Sequence, residues 1–394
     1  MNILKVIGRK APLFLNDIEN YKLRLDDYVS KGSFLIIGGA GSIGQAVTKE
    51  IFKRNPKTIH IVDINENELV ELVRDLRSSL GYINGDFQTF AIDCGSKVFF
   101  QLLDNYKYDY ILNLSALKHV RSEKDPYTLM RMIDVNIINT INIQKKIKDL
   151  NIKKYFCVSS DKATNPVNMM GASKRIMEIM LMQNDDYVNV SSARFANVAF
   201  SDGSLLTGFK NRMQKKQPIA APNDVLRYFI TPEESGQLCL FSCLFGDNKD
   251  IFFPKLNEKL HQQTFSDIAI RYIEDNGYEP YLCSSEEEAR TKKNNLISQK
   301  KWPCWFFNSD TTGEKGYEEF FASNQILNLD NFFEIGIIKN TKKINELDQD
   351  FFINQIERIR EGKEIIKEDL VELFKKRLKE FKHEEKNKNL DQRM

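Results

Sequence analysis

Short apolar runs alternate with longer amphipathic segments from residue 33 to about residue 197. The runs are rich in Val, Ile, Leu, Phe and Tyr, and they have the length of strands that are buried on both faces. The longer segments repeat apolar residues at helical spacing. This alternation predicts an α/β fold in which helices cover both faces of a parallel sheet. The predicted strands are 33–37, 58–62, 89–92, 109–113, 154–159 and 188–195, and the predicted helices between them are 43–53, 66–79, 126–150 and 168–183.

The pattern becomes less regular after residue 198. It predicts a helix over 231–245, a strand over 250–253, and an exposed helix with its loop at 284–301. We expect this part of the chain to form a smaller lobe over 199–340 that is interleaved with the sheet.

The C-terminal part, 341–394, is strongly charged but repeats apolar residues at helical spacing. Gly362 separates the two helices predicted there. We expect their apolar faces to pack against the main body, and a contact between subunits is the alternative. The chain thus divides into an N-terminal arm over 1–32, a sheet domain over 33–198, the smaller lobe, and a helical C-terminal extension.

Composition narrows the possible partners. Hydrophobic residues make up 42% of the 394 residues and charged residues 28%, which excludes global disorder. The 57 basic and 55 acidic residues nearly cancel, so net charge gives no argument for binding nucleic acid or an anionic membrane. The best apolar run, 238–245, is too short to cross a membrane. We therefore expect neither nucleic acid nor a membrane as a partner.

The six cysteines include no CxxC pair, which predicts reduced thiols and a cytoplasmic location. Cys239 and Cys243 are spaced to share a helix face, but no His lies beside them. A buried pair is therefore favoured over a metal ligand set, and no metal site is predicted.

A glycine-rich segment follows the first predicted strand and opens the next helix. Its glycines fit either Gly39-x-Gly41-x-x-Gly44 or Gly38-x-x-Gly41-x-x-Gly44. Glycine allows the tight turn, the approach of backbone N–H groups to a pyrophosphate, and close packing of the helix on the strand. The segment predicts a dinucleotide site in a Rossmann-type domain, formed by Gly38, Gly41, Ser42, Ile43 and Gly44.

Asp63 stands at the end of the second predicted strand. An acidic residue there accepts hydrogen bonds from the adenosine ribose and repels a 2′-phosphate. No Arg follows at 64–66, so NAD is favoured over NADP. Asp93 ends the third strand and is expected near the adenine amine, with a helix N-cap as the alternative.

A second polar group follows the fifth predicted strand. Ser160, Asp161 and Lys162 leave this strand directly into a loop, and Lys174 lies one helical turn after Met170. The arrangement resembles the Ser and Tyr-x-x-x-Lys site of extended short-chain dehydrogenase/reductases, with Met170 at the Tyr position. Lys174 is then expected at the nicotinamide ribose. Because a thioether cannot accept the proton of an alcohol, simple hydride exchange through a Tyr is excluded.

The segment 160–174 as a whole resembles the signature of nucleotide-sugar 4,6-dehydratases of the polysaccharide-biosynthesis family. Further matches follow in order at 115–120, 134–136, 193–198, 227–231 and 313–315, and the resemblance covers about 33–335. It implies an NAD-retaining enzyme that converts UDP- or GDP-linked N-acetylglucosamine to the 4-keto-6-deoxy sugar for bacterial surface glycans. Met at the Tyr position is generally linked to retention of configuration at C5 of the sugar.

The chemistry of this dehydration needs an acid and a base. Oxidation at C4 makes the C5 proton labile, a base then removes that proton, and an acid protonates the departing C6 hydroxyl. We hypothesise that Asp161 is the acid at O6 and Lys162 the base at C5, each contributing ~10²–10⁴-fold. Lys162 would then need a pKa lowered by burial or by a cation such as Lys174. Ser160 would bond the C4 oxygen, and Asp161, or a water it holds, would accept the proton of the 4-hydroxyl.

The resemblance implies further contacts at matched positions. Asn136 is expected to hold a water in a proton relay, and two cations are expected at the diphosphate of the substrate. Surface charges and an ordinary buried turn are the alternatives for these residues. The matched positions are Ser115 and Asn136 on the cofactor side, and Lys118, Asn197, Arg227 and Glu314 on the substrate side.

Three rival functions remain at this stage. A nucleotide-sugar C4 epimerase and a C5-inverting dehydratase share the expected fold, and a binding protein that has lost catalysis is more distant. A homo-oligomer is expected from the resemblance. Trp302 and Trp305 are expected to anchor the core of the C-terminal half, with base stacking as the alternative.

Overall fold

The computed structural model describes residues 1–183, 187–255, 262–339, 348–383 and 385–386. Strands and helices alternate from residue 33 onwards, as the hydrophobic pattern predicts. The strands are β1 (Ser33–Ile37), β2 (Thr58–Asp63), β3 (Asp86–Ala91), β4 (Tyr110–Asn113), β5 (Lys154–Val158), β6 (Val190–Ala193), β7 (Asn197–Val198), β8 (Ile219–Pro222), β9 (Leu226–Arg227), β10 (Phe229–Ile230), β11 (Asp250–Pro254), β12 (Gln263–Thr264), β13 (Glu279–Leu282), β14 (Lys301–Phe307), β15 (Ile326–Asn328) and β16 (Ile335–Lys339).

The helices connect these strands and cover both faces of the main sheet. Short 3-10 turns lie at Val120–Lys124, Ile147–Asp149 and Asp161–Ala163. The helices are α1 (Ile3–Val6), α2 (Leu15–Lys31), α3 (Ser42–Phe52), α4 (Glu66–Ser79), α5 (Lys97–Asn105), α6 (Pro126–Ile133), α7 (Asn139–Lys146), α8 (Met169–Met182), α9 (Leu205–Gln214), α10 (Pro232–Phe245), α11 (Phe265–Asp275), α12 (Glu286–Ser298), α13 (Gln349–Arg360) and α14 (Lys367–Arg377).

Within the described ranges, the main sheet has nine strands in the order β15-β16-β11-β6-β5-β4-β1-β2-β3. The strands from β11 to β3 run parallel, and β16 and β15 are antiparallel additions at one edge. After β3 the chain returns to the far side of β1 to form β4, so the direction of winding reverses between these two strands. The expected Rossmann-type sheet is confirmed. Ligands of such sheets bind at the carboxyl ends of the strands beside this reversal.

The smaller lobe contributes to this sheet. Strands β11, β15 and β16 all come from the part of the chain after residue 198, and they extend the sheet beyond β6. The strand predicted over 250–253 is confirmed as β11. The rest of the lobe has its own three-stranded parallel sheet, in the order β13-β14-β8. Trp302 is buried in the core of this lobe, whereas Trp305 is only half-buried and stacks on Phe307.

The single helix predicted over 126–150 is wrong in one respect, because it is interrupted in the middle. Helix α6 ends at Ile133, and one wide turn of π-helix type over Asp134–Ile138 precedes α7. Such turns insert an extra residue and often occur at functional sites. Here the wide turn carries Asn136, whose buried amide is bonded to neighbouring segments rather than to its own helix.

Both ends of the described chain pack on the main body. In the N-terminal arm, Arg9 forms a buried ion pair with Glu234 of α10 at 2.6 Å. In the C-terminal extension, Phe352 of α13 and Phe374 of α14 are buried and meet edge to face. The expected packing of these helices against the body is confirmed, and a contact between subunits stays a prediction. Across the described ranges, the helices lack the length and apolar character that a membrane crossing requires.

Candidate active site

The loop between β1 and α3 is so tight that three of its glycines leave no room for a side chain. A Cβ on Gly44 would lie 2.2 Å from the carbonyl oxygen of Gly38. Gly38 has φ +75°, and a Cβ there would lie 2.6 Å from the backbone nitrogen of Ser115. A Cβ on Gly39 would lie 2.3 Å from Cγ2 of Ile61. These contacts are the tight turn and the close packing of helix on strand that the glycine pattern predicts.

Gly41 differs from the other loop glycines because it faces open space. Among the described residues, a Cβ there would meet only the carbonyl oxygen of Gly38, at an ordinary 3.6 Å. Gly41 is also the N-cap of α3, and within the part of the chain that the structure describes this helix has no side-chain cap. A helix N-terminus left open in this way binds phosphate groups. The space at Gly41, with Ser42 and Ile43 behind it, therefore fits a pyrophosphate.

An open-sided cavity of about 480 Å³ adjoins this loop at the carboxyl ends of the central strands. Asp63 lines the cavity, and its carboxylate accepts hydrogen bonds from the backbone of Ala40 and Asn65, each at 3.0 Å. Each carboxylate oxygen retains a further lone pair for a ribose hydroxyl. The residues of this cavity therefore fit the adenosine half of a dinucleotide.

Asp93 lines the same cavity from the end of β3. Its Oδ1 accepts a hydrogen bond from the backbone of Gly95 at 2.8 Å, and its Oδ2 lies 3.3 Å from a guanidinium nitrogen of Arg131. Helix α5 is capped by Ser96, so the alternative role of Asp93 as the N-cap is wrong. The contact of Asp93 with an adenine amine stays a prediction.

Asn136 clamps the loop that follows β4. Its Oδ1 accepts from the backbone N–H of Leu117 at 3.0 Å, and its Nδ2 donates to the Leu117 carbonyl at 3.1 Å and to Ser173 Oγ at 2.9 Å. Both amide hydrogens are thus donated to protein atoms, which leaves neither for the expected relay water. The geometry makes Asn136 a positioning residue for the loop that carries Ser115, another residue of the cavity wall. Direct contacts of Asn136 and Ser115 with a cofactor stay predictions.

Ser160, Asp161 and Lys162 lie at the carboxyl end of β5, where a 3-10 turn begins. The hydroxyl of Ser160 donates to Oδ1 of Asp161 at 2.8 Å and accepts from the backbone N–H of Lys162 at 3.1 Å. The Nζ of Lys162 lies 3.3 Å from the same Asp161 oxygen. Asp161 is 4% exposed. The acid and the amine that the sequence predicts as a couple are therefore a preformed, mostly buried pair.

The charge state of Lys162 differs from the expectation. Burial alone would lower the pKa of Lys162, but the carboxylates of Asp161 and Glu318 outweigh burial and the net pKa is raised. Glu318 Oε1 lies 3.7 Å from Nζ. The expected lowering of this pKa is wrong, because two carboxylates flank the amine. The two carboxylates therefore favour the charged form of Lys162.

Met170 and Lys174 lie on the first turns of α8. Met170 is buried, and its thioether offers no site for a proton. Lys174 is also buried, and its Nζ donates to the carbonyl of Val158 at 3.0 Å, which holds it beneath the end of β5. Burial lowers the pKa of Lys174 to about 8, although Cys157 and Glu178 oppose the shift. Contact of Lys174 with a nicotinamide ribose stays a prediction.

Arg227 and Glu314, which the resemblance assigns to the substrate, are bonded to each other. The guanidinium Nη2 donates to Oε1 of Glu314 at 2.7 Å, and Nη1 donates to the carbonyls of Leu226 and Gly316. Arg227 is 3% exposed, whereas Glu314 remains partly open to solvent. The structure brings the two residues together beside the loop that follows β5 and carries Ser160, Asp161 and Lys162, which we call the catalytic loop. Their contacts with a diphosphate and a ribose stay predictions.

Asn197 and Lys118 stand nearby on separate segments. The Nδ2 of Asn197 is buried and has no hydrogen-bond partner among the described residues, which suits a ligand oxygen. The side chain of Lys118 is exposed to solvent. Desolvation by the surrounding protein nevertheless lowers its pKa, and the charge of Asp202 opposes this shift. Asp202 also accepts a hydrogen bond from Ser42 Oγ at 2.6 Å, which links this segment to the start of α3.

Comparison with known protein families agrees with this geometry. A family model described as "Polysaccharide biosynthesis protein" matches residues 34–339, well over half of the chain. The chain belongs to this polysaccharide biosynthesis protein family. The matched range contains the glycine loop, the catalytic loop and the Arg227–Glu314 pair.

Two similar proteins differ in the share of their own length that the chain covers. An uncharacterized membrane protein of Methanocaldococcus jannaschii is 29% identical over 87% of this chain and 98% of its own length. The capsular polysaccharide biosynthesis protein CapD of Staphylococcus aureus is 27% identical over 83% of this chain. The chain spans 51% of the CapD length, so CapD has a large part with no counterpart in the alignment.

Solved structures support the fold. The X-ray structure of Pen from Bacillus thuringiensis has a TM-score of 0.64 at 22% identity, over 81% of this chain and 90% of that protein. The UDP-N-acetylglucosamine 4-epimerase of Methanobrevibacter ruminantium has a TM-score of 0.56 at 17% identity, over 87% of this chain and 99% of that protein. At these identities the similarity shows a shared fold.

Glu318 is a residue of this candidate site that sequence reasoning missed. It lies three residues beyond Lys315, where the matched Gly-Glu-Lys motif ends, in a stretch with neither helical nor strand periodicity. Its carboxylate is 4% exposed and lies between Lys162 and Arg227. Only the fold brings it there, because β9 and the catalytic loop are distant in sequence. The available signal in the sequence was that Glu318 is acidic and lies four residues after Glu314, a predicted substrate contact.

Proposed function

We propose that the chain is an NAD-dependent 4,6-dehydratase that acts on a nucleotide-linked N-acetylglucosamine and supplies a 4-keto-6-deoxy sugar for polysaccharide biosynthesis. The observation that carries the proposal is the buried pair of Asp161 and Lys162 at the carboxyl end of β5, 3.3 Å apart. Removing water across two carbons needs an acid and a base at one place, whereas hydride transfer alone does not. UDP and GDP remain equal alternatives for the nucleotide.

The residues around the cavity support NAD as the cofactor. The open N-terminus of α3 at Gly41 would hold the pyrophosphate, and Asp63 would hold the adenosine ribose. Lys174 would contact the nicotinamide ribose, which places the reactive ring near the end of β5. When bound, NAD would supply a reversible hydride acceptor that oxidises C4 of the sugar and is regenerated before the product leaves.

Asp161 would transfer the proton that moves from the 4-hydroxyl to the C6 hydroxyl of the sugar. Because Met170 cannot take the proton of the 4-hydroxyl, the Asp161 carboxylate would accept it, with Ser160 bonded to the same C4 oxygen. The protonated Asp161 would then donate this proton to the C6 hydroxyl, which leaves as water. The carboxylate is restored at the end of the cycle, so the enzyme needs no external acid.

Lys162 would remove the proton from C5 of the sugar and later return one. The ketone at C4 acidifies the neighbouring C5–H bond, and the amine would remove this proton and later return one to C5. The neighbouring carboxylates favour the charged form of Lys162, so it acts as a base only when another group takes one of its protons. Once Lys162 has taken the C5 proton, its positive charge would stabilise the enolate oxygen.

Two rival activities share this fold. A C4 epimerase is suggested by the fold similarity to the UDP-N-acetylglucosamine 4-epimerase, and it would use the same cofactor site. An epimerase has no use for a second acid–base pair directed at C5 and C6, so the Asp161–Lys162 couple favours dehydration. A C5-inverting dehydratase differs only in the face on which C5 is reprotonated.

Mass spectrometry of the products tests the proposal. The purified chain with NAD is incubated separately with UDP- and GDP-N-acetylglucosamine. Loss of one water from either substrate is the expected result, and NMR of the product then gives the configuration at C5. An unchanged mass with inversion at C4 identifies an epimerase. NAD binding without conversion of either substrate supports a non-catalytic binding protein.

A further inference from the structure

A second buried carboxylate adjoins the catalytic pair. Glu318 belongs to the smaller lobe, and it is 5% exposed as a residue. Its Oε1 lies 3.7 Å from the Nζ of Lys162 and 3.9 Å from a guanidinium nitrogen of Arg227. A carboxylate enclosed in this way is costly unless cations or protons compensate its charge.

One carboxylate oxygen of Glu318 has no hydrogen-bond donor among the described residues. Among the described residues, Oε2 of Glu318 accepts no hydrogen bond, and the Nζ of Lys315 lies 3.8 Å away. Lys315 instead donates to the carbonyl of Thr164 at 2.8 Å. A buried carboxylate oxygen without a donor is rare in native proteins and calls for a role. It is a site at which a proton can be added without breaking an existing hydrogen bond.

Asp161 has a different proton to hold in the proposed cycle. Its Oδ1 already accepts from the Ser160 hydroxyl, the Lys162 backbone and the Lys162 amine. In the proposed cycle, Asp161 also carries the proton of the 4-hydroxyl to O6. Among the described residues, the other carboxylate that faces the amine of Lys162 is that of Glu318.

We propose that Glu318 takes the surplus proton of Lys162, so that the two residues act together as the base at C5. This inference rests on the proposed dehydration and adds a residue to it. Glu318 acts through Lys162 and is a positioning residue for its proton. Arg227 balances the charge of Glu318 before the transfer.

The transfer balances without an outside reagent. One N–H bond of the Lys162 ammonium breaks and an O–H bond forms on Glu318, which leaves a neutral amine and a carboxylic acid. The C5–H bond then breaks, its proton forms a new N–H bond on Lys162, and its electron pair passes into the enolate. When C5 is reprotonated by Lys162, Glu318 returns its proton and the pair recovers its starting state.

The electrostatic surroundings agree with this role. Burial raises the pKa of Glu318, while Lys162, Arg227 and Lys315 oppose the rise and Asp161 adds to it. A carboxylate with a raised pKa is a better proton acceptor than an ordinary one.

The variant Glu318→Gln tests the inference, because an amide keeps the shape of the side chain but cannot accept the proton. The neighbour Glu319→Gln is the matched control, since Glu319 lies at the surface and bonds only Asn165 among the described residues. Two rates are measured from pH 6 to 10 with NAD bound. One is kcat for dehydration, and the other is exchange of the C5 hydrogen of the 4-keto product in D2O, which needs the base but no hydride transfer.

For Glu318→Gln we expect both rates to fall on the order of 10²-fold at pH 7, with KM unchanged. Both rates should recover as the pH rises, because Lys162 then loses its proton to solvent. Glu318→Asp should restore part of the activity at pH 7, and Glu319→Gln should match the wild type. A loss that is the same at every pH, or no loss at all, would overturn the inference. Absence of dehydration by the wild type would instead overturn the proposed function.

A labelling measurement tests the coupling of the two residues without turnover. Lys162 is acylated at a series of pH values and its modification is followed by mass spectrometry. Glu318 faces the Nζ of Lys162 at 3.7 Å, so its replacement by Gln should shift the pH profile of Lys162 reactivity. An unchanged reactivity profile would contradict the coupling, whatever reaction the enzyme performs.

Discussion

Glu178 and Arg194 form a two-point ion pair beneath the active-site strand. The Nε of Arg194 donates to Oε1 at 2.8 Å and its Nη2 donates to Oε2 at 2.7 Å, and both side chains are buried. Glu178 also accepts from Ser159 Oγ at 2.6 Å, and Arg194 also donates to Thr164 Oγ1 and to the carbonyl of Phe320. The pair therefore joins the two sides of the catalytic loop to the segment that carries the buried carboxylate of the smaller lobe.

Removing one member of this pair should be strongly destabilising. Glu178→Gln leaves a buried guanidinium without its counter-charge, and we expect a loss of about 3–5 kcal/mol in the free energy of unfolding. Urea denaturation measures it. The control is Glu380→Gln, which removes the half-exposed partner of Arg175 and should change the free energy by roughly 0.5 kcal/mol or less. Equal effects of the two substitutions would contradict the structural role of the buried pair.

The two glycines Gly41 and Gly44 should respond differently to alanine. Gly44→Ala places a methyl group against the Gly38 carbonyl, so it should lower the melting temperature and weaken NAD binding together. Gly41→Ala meets no close protein atom and keeps an ordinary φ of −70°, so the fold should be unaffected. The new methyl would nevertheless occupy the space in front of α3, and NAD affinity should fall at least ~10-fold, or about 1.4 kcal/mol. Calorimetric titration and thermal unfolding separate the two effects, and unchanged NAD binding by Gly41→Ala would contradict the cofactor site.

Lys174 should make stability depend on pH in a defined window. Its pKa is lowered from 10.5 to about 8 in the folded state, so between these values the unfolded chain binds more protons than the folded chain. Stability contributed at this position therefore rises with pH across the window, by roughly 3 kcal/mol in all.

The measurement compares unfolding of the cofactor-free wild type with Lys174→Met between pH 7.5 and 10, roughly the span of that window. The stability of the wild type relative to this variant should increase with pH. Lys363→Met, at the exposed turn between α13 and α14, is the control and should run parallel to the wild type. A difference between wild type and Lys174→Met that stays constant or shrinks with pH would mean that Lys174 is not held in a desolvating site.

Much of the fold and of the cofactor site was predictable from local sequence. Most of the parallel strands are short apolar runs, whereas β3 is half-polar and lies at 86–91 rather than at the predicted 89–92. The glycine loop needs only a strand, a turn and a helix in succession, so Gly38–Gly44 and Asp63 were identified from their neighbours. The break of the long helix at Asp134–Ile138 was not predictable, because it depends on bonds of Asn136 to Leu117 and Ser173 that the tertiary structure creates.

The charge state of the catalytic amine was the main error. The hypothesis that Lys162 is a base required its pKa to be lowered, either by burial or by a cation such as Lys174. The structure instead places Glu318 from a distant segment against Lys162. Long-range contacts of this kind leave no periodic signal in the chain, so the closeness of Asp161 and Lys162 was predictable and the approach of Glu318 was not.

The most direct test of the account follows one atom through the reaction. UDP- and GDP-N-acetylglucosamine are prepared with deuterium at C4 and incubated with the enzyme and NAD, and the products are analysed by NMR and mass spectrometry. The account predicts a product that has lost one water and carries the deuterium on its C6 methyl group, with no product formed by Lys162→Met. Deuterium that remains at C4 of a sugar of unchanged mass would contradict the proposed dehydration.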